Sequence, residues 1–276
     1  MIKALIMNEL LYEVGKVTFL LGILNNLRYF LVAGIPFLIF YIFYSKKFQI
    51  LKIQLNEARK SDFIREIKYS LLSGFITAFI VAFLLRTSLR NNSLIYSDLK
   101  EYPIYWLFLS YALAILFHDT WFYWLHRFFH VPWIYKHVHN VHHLSVNPSP
   151  WTSFSFHFFE AIGEGLVIIP LAFIVPLHPY TLVFFGFSIF AINVYGHLGY
   201  EIAPKWFRQS FLFELLNTSV YHNLHHSKFK GNYGLYFRIW DRIMSTENKN
   251  YVEEFERIQA RRHINEYSDI NIKNKA

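Results

Sequence analysis

Three short stretches concentrate imidazoles: His126 and His130 in HRFFH, His139, His142 and His143 in HNVHH, and His222, His225 and His226 in HNLHH. Residues three and four apart share a helix face, so each stretch should aim its rings at one point. Converging imidazoles are a means of gripping a metal ion. His157 and Glu160 in HFFE, and Asn193 and His197 in NVYGH, repeat the spacing. With them the candidate metal ligands are His126, His130, His139, His142, His143, His157, His197, His222, His225 and His226. That supply exceeds the roughly three to six ligands of one ion and suits two.

Imidazole binds iron, zinc and copper alike, so ligand type leaves the metal open. The chain has no cysteine, which excludes disulfides, thiolate-held zinc and iron–sulfur clusters. No His-Glu-x-x-His occurs, which argues against a zinc peptidase. Haem would need axial histidines facing each other, not clusters. Two irons with open positions would activate dioxygen against an unactivated C–H bond, chemistry beyond side chains. Asp119 lies within about 20° of both His126 and His130 on a helix, whereas His118 is turned away by about 80° to 120°. Asp119, Glu160 and Asn193 are therefore the candidate catalytic supports, carboxylates at such places accepting the second ring N–H. His118 is expected outside the ligand set, and His137 and His263 at the surface.

The elements that must position these groups are membrane helices. The 276 residues are 54% hydrophobic and 20% aromatic with only 17% charged, more apolar matter than one soluble core needs. Tyr29–Ser45, Tyr69–Leu85 and Tyr102–His118 lack charge, and Gly165–Lys205 is interrupted only by Glu201 before its terminal lysine. Each of the first three, about 25 Å as helix, can just cross a bilayer. Pro176 and Pro179 divide the fourth into a hairpin with legs Glu164–Val175 and Thr181–His197. Lys3, Glu9, Glu13 and Lys16 interrupt any early apolar segment, so no signal peptide is expected.

Seven Lys or Arg stand between the first two blocks and twelve follow Gly199, which places both regions in the cytoplasm. Counting crossings then brings all but His178 of the clustered region's histidines to the cytoplasmic face. The expected fold is an all-α integral membrane protein with about four transmembrane helices and a cytoplasmic histidine-rich helical cap. Two crossings occupy an anchor region, 1–101; a third enters the site and a hairpin follows in a catalytic domain, 102–247; a basic tail, 248–276, ends the chain. The net charge of +8 is scattered beside apolar blocks, so the anionic partner is a membrane surface and no nucleic acid is expected.

HRFFH, HNVHH and HNLHH, in that order, resemble the histidine boxes of the fatty acid hydroxylase/sterol desaturase superfamily of membrane non-haem di-iron oxidases. DTWFYWLHR, NPSPW and GNYGLYFRIWDRIMST resemble its bacterial sterol-desaturase-like branch, the likeness covering roughly residues 116–247. His157 is followed by Phe158 where many relatives have proline, and Tyr221 stands where many have a further histidine. The resemblance implies two irons, dioxygen as co-substrate, a lipid substrate and electrons from a separate cytochrome- or ferredoxin-type carrier. The function expected is hydroxylation or desaturation of a fatty acyl, sterol or isoprenoid lipid, with zinc possible in a purified sample. The alternatives are a zinc-dependent lipid hydrolase and a membrane metal-binding or transport protein. Trp124, Trp151 and Phe154 are candidates to line a lipid channel, and Arg261 and Arg262 to dock the electron carrier.

Overall fold

The computed structural model describes residues 2–56 and 58–273, with side chains within 5–262; the His263 side chain lies outside them. No strand forms among the described residues, and helices carry the fold. The principal ones are α1 (Ile2–Phe37), α2 (Lys60–Arg86), α3 (Tyr105–Phe129), α4 (Asn140–His143), α5 (Phe158–Gly165), α6 (Ile168–Ile174), α7 (Pro179–Gly196), α8 (Ser219–Lys228) and α9 (Tyr251–Lys273). Three segments are long and apolar enough to cross a membrane: Leu5–Phe43, Lys60–Arg86 and Pro179–Gly196.

The first two blocks extend further than hydropathy indicated. Glu13 and Lys16, three apart, pair at 4.0 Å, and helix propensity tolerates charge, so α1 runs unbroken from Ile2. Near Pro36, which has no N–H to donate, it loosens into a π-helical turn over Leu38–Phe43. Helix α2 starts at Lys60 because Asp62 accepts the Arg59 backbone N–H at 3.2 Å. The two helices run antiparallel, with Phe37 against Phe63 and Gly22 against Phe75. At Gly74 an added Cβ would stand 2.4 Å from Asn26 Oδ1, so glycine permits the approach.

The hairpin's first leg differs from expectation. It breaks between α5 and α6, and α6, seven residues or about 10 Å long, is too short to cross. The second leg is intact because Pro179 occupies the first helical position and His178 Nδ1 accepts the Tyr180 N–H at 3.1 Å.

Two ends of the bundle are thereby distinguished. At one, the 94–97 loop meets the hairpin turn through Leu94 N–H to Ala172 O and His178 Nε2 beside Ser97 O. At the other, Gln54 of the basic loop donates to Val146 O at 2.8 Å and Asn223 Oδ1 at 2.9 Å, between two histidine stretches. The basic loop and the histidines therefore share one end. The segment from Tyr251 is not a free tail: Tyr251, Phe255 and Ile258 are buried against Phe213, Val220 and Tyr221.

Candidate metal centre

The histidines form two adjoining groups. His126, His130, His139, His143 and His225 make one; His142, His197, His222 and His226 make the other. Each group's ligand atoms lie within 4.8 Å of one another. Eight rings are buried and His130 is half-buried. HRFFH aims both its rings at one group, as expected, but the other two stretches divide. His139 and His143 enter the first group and His142 the second, while His222 and His226 enter the second and His225 the first. Rings four apart differ by about 40° around a helix, whereas neighbours differ by about 100°, so adjacent histidines serve different groups.

The ring nitrogens have distinct roles. Nδ1 contacts a main-chain oxygen in five rings: His126 to Tyr233 at 2.9 Å, His142 to Ser155 at 3.4 Å, His197 to Asn193 at 2.7 Å, His225 to Gly231 at 2.7 Å and His226 to Ser145 at 3.0 Å. A carbonyl only accepts, so these Nδ1 atoms carry the proton and a neutral ring then presents a bare lone pair at Nε2. Yet the Nε2 atoms face one another. That of His197 lies 3.2, 3.0 and 3.1 Å from those of His142, His222 and His226. In the first group His225 Nε2 is 3.0 Å from His143 and 3.3 Å from His130, and His126 is 3.1 Å from His139. Lone pairs so placed repel unless a cation stands among them. The donor set therefore fits metal ions, and five and four nitrogens leave positions open on an octahedral one.

Burial also keeps the rings neutral, the form that ligates. It holds His197 down at about 4 and, with His126 nearby, His130 down at about 2. His139, His142, His143, His222, His225 and His226 are pushed well below the ordinary imidazole value, first by burial and then by neighbouring rings.

The remaining expected groups fall in different places. Glu160 Oε1 accepts from His139 Nδ1 at 2.7 Å, while its buried Oε2 has no partner among the described residues. Asn193 supports His197 through its backbone carbonyl, its side chain bonding Ile189 O at 3.0 Å. Asp119 touches no ligand ring: its Oδ1 accepts the Tyr236 and Phe237 N–H groups at 2.9 and 3.1 Å. Helical phase had located its face, but a loop outcompetes the imidazoles for its oxygen. His157 belongs to neither group; it caps α5, Nδ1 accepting the Phe159 N–H at 3.4 Å. His118 lies outside both, 2.9 Å from the Tyr236 hydroxyl. His137 is exposed, with Nδ1 2.8 Å from Trp133 O.

Two further sets of residues have packing roles in the structure. Trp151 packs on Tyr29 and Phe37, Phe154 stacks on Phe190 and Trp124 meets Trp240, so these rings tie elements together. Arg261 and Arg262 are engaged within the chain, donating to the Lys52 and Ala203 carbonyls.

Sequence patterns missed Glu66. Fully buried on α2, it accepts from Ser145 Oγ at 2.6 Å and Ser149 Oγ at 2.8 Å, and the Ser145 carbonyl holds His226. A carboxylate within a helix that continues as an apolar span was the available signal, masked by the basic residues around it. Tyr29 and Ser70 likewise both bond Trp151 O, so α1 and α2 brace the site and are more than anchors.

This architecture defines a multi-pass helical membrane protein with two histidine groups of metal-ligating geometry at one end of its spans. Residues 111–246 match the family model for fatty acid hydroxylase. A Delta(7)-sterol 5(6)-desaturase of Gibberella zeae is 34% identical over 150 residues, 54% of this chain and 44% of that protein. Lathosterol oxidase of Rattus norvegicus is 33% identical over 189 residues, and that of Homo sapiens 31% over 188, each alignment covering 67% of this chain and 60% of the relative. Through this segment the chain belongs to the fatty acid hydroxylase/sterol desaturase superfamily. It spans less than two thirds of the length of these relatives. No solved structure matches it.

Proposed function

We propose that the protein is a membrane oxidoreductase that hydroxylates or desaturates a fatty acyl, sterol or related isoprenoid lipid. It uses two iron ions, dioxygen and electrons from a separate cytochrome- or ferredoxin-type carrier. The observation that carries this reading is the convergence of nine Nε2 atoms on two centres, within a family whose cited relatives are named sterol desaturases and oxidases. A metal carrier would string ligands across the bilayer, whereas these gather at one end.

His126, His130, His139, His143 and His225 hold one ion, and His142, His197, His222 and His226 the other. The irons, when bound, supply activation of dioxygen. The chain's part is to keep the rings neutral and dry, and to fix their tautomers through Glu160 and the main-chain oxygens of Tyr233, Ser155, Asn193, Gly231 and Ser145. The basic loop beside the histidines supports a cytoplasmic position for this face.

The test is elemental analysis of detergent-purified protein beside His142→Ala and His225→Ala variants. About two ions per chain are expected, each variant losing one or both. One ion or none in metal-replete wild-type protein would overturn the reading. Reductant-dependent dioxygen consumption then separates an oxidase from a zinc hydrolase.

A further inference from the structure

An open groove of about 720 Å³ runs between α3 and α7. Its walls include Ala112, Ile115 and Leu116 from α3, and Phe187, Ala191 and Ile192 from α7. Leu116 and Phe187 are half exposed, and beyond them Val183 and Phe184 present bare apolar faces. Since α7 is a membrane span, the groove's mouth opens sideways onto acyl chains, not into water.

The inner end approaches the metal centre. A small cavity of about 10 Å³, about one water molecule wide, lies beside His197 and His222 and shares Ile192 and Tyr195 with the groove. These two side chains stand between the groove and the site, at the neck of any path from membrane to histidines. From Phe187 to Tyr195 is eight residues along α7, about 12 Å. The neck lies at the end of the span, near headgroup depth, and the groove runs from it toward the bilayer centre.

Resting on the lipid-oxidising reading of this site, we propose that the groove between α3 and α7 seats the hydrocarbon body of a lipid arriving sideways from the bilayer, presenting a carbon near its polar end to His197 and His222 through the Ile192–Tyr195 neck. A lipid lying tail-inward puts its first carbons at the neck and its later ones beside Phe187 and Tyr111. Ala112 and Ala191, both exposed and small, keep the channel open.

The probes are two photoreactive sterols, one with a diazirine on ring B and one with it at the end of the side chain, applied to protein in nanodiscs. Adducts are mapped by mass spectrometry. The ring probe should label Ile192 and Tyr195, and the tail probe Tyr111 and Phe187. Ala191→Trp and Ala112→Trp should each lower this labelling at least tenfold without changing metal content. Labelling confined to Val183 and Phe184, reversed between the probes, or unchanged in both variants would overturn the proposal. Metal content read on the same samples keeps failure of the groove distinct from failure of the metal site.

Discussion

Five of the nine clustered histidines set Nδ1 against main-chain oxygens that no substitution can remove. His139 instead has a side-chain acceptor, Glu160 at 2.7 Å. Glu160→Ala should weaken metal binding by about 10- to 100-fold, the usual effect of losing a residue that orients a ligand. Glu160→Gln, whose amide oxygen still accepts, should stay close to wild type; chelator competition measures both. Removing metal leaves Nε2 lone pairs facing one another at 3.0–3.3 Å. Chelated protein should therefore unfold at a lower temperature, with divalent iron restoring it, since ion binding to the folded state adds directly to stability.

Among the elements, the turn after α8 is under most constraint. Phe229, Gly231 and Asn232 have φ of 59°, 79° and 55°, and this coil brings the Gly231 carbonyl to His225. At Gly231 an added Cβ would stand 2.5 Å from Thr246 O. Gly231→Ala should destabilise by about 1–3 kcal/mol, from the left-handed backbone alone, and lower metal occupancy; thermal unfolding and elemental analysis read the two effects. Helix α2 contributes through Glu66. Its loss in Glu66→Ala strands the Ser145 and Ser149 hydroxyls and should cost about 1.5–3 kcal/mol, the range for hydrogen bonds to a charged group. Denaturant unfolding of the detergent-solubilised protein reads this, and Glu66→Gln should recover part of it.

At the scale of the molecule, the basic segment before α2 and the two histidine groups share one end, and the 94–97 loop and hairpin turn the other. The absence of cysteine makes this topology directly testable. Lys228→Cys should react with a membrane-impermeant maleimide only in permeabilised cells, and Asp98→Cys in intact ones. The opposite pattern would reverse the assigned orientation while leaving the metal centre intact.

Spacing alone determined that histidines four apart would face together, because helical periodicity is local: His126 and His130, His139 and His143, and His222 and His226 each share a group, whereas His139 and His142, or His222 and His225, three apart, do not. Charge counts likewise placed the basic segments, and with them the histidines, on one side, since charged loops resist crossing a bilayer. Tertiary structure decided the rest. Which ring joins which group depends on how α3, α4, α7 and α8 meet, and adjacent His142 and His143 part company only there. His157 satisfies a helix end instead of a metal, and Asp119 a loop instead of an imidazole, because the competing N–H donors are main-chain groups far away in sequence or common to every residue. Glu66 was illegible for the converse reason: its serine partners lie about eighty residues away, and no local pattern records a contact made by packing.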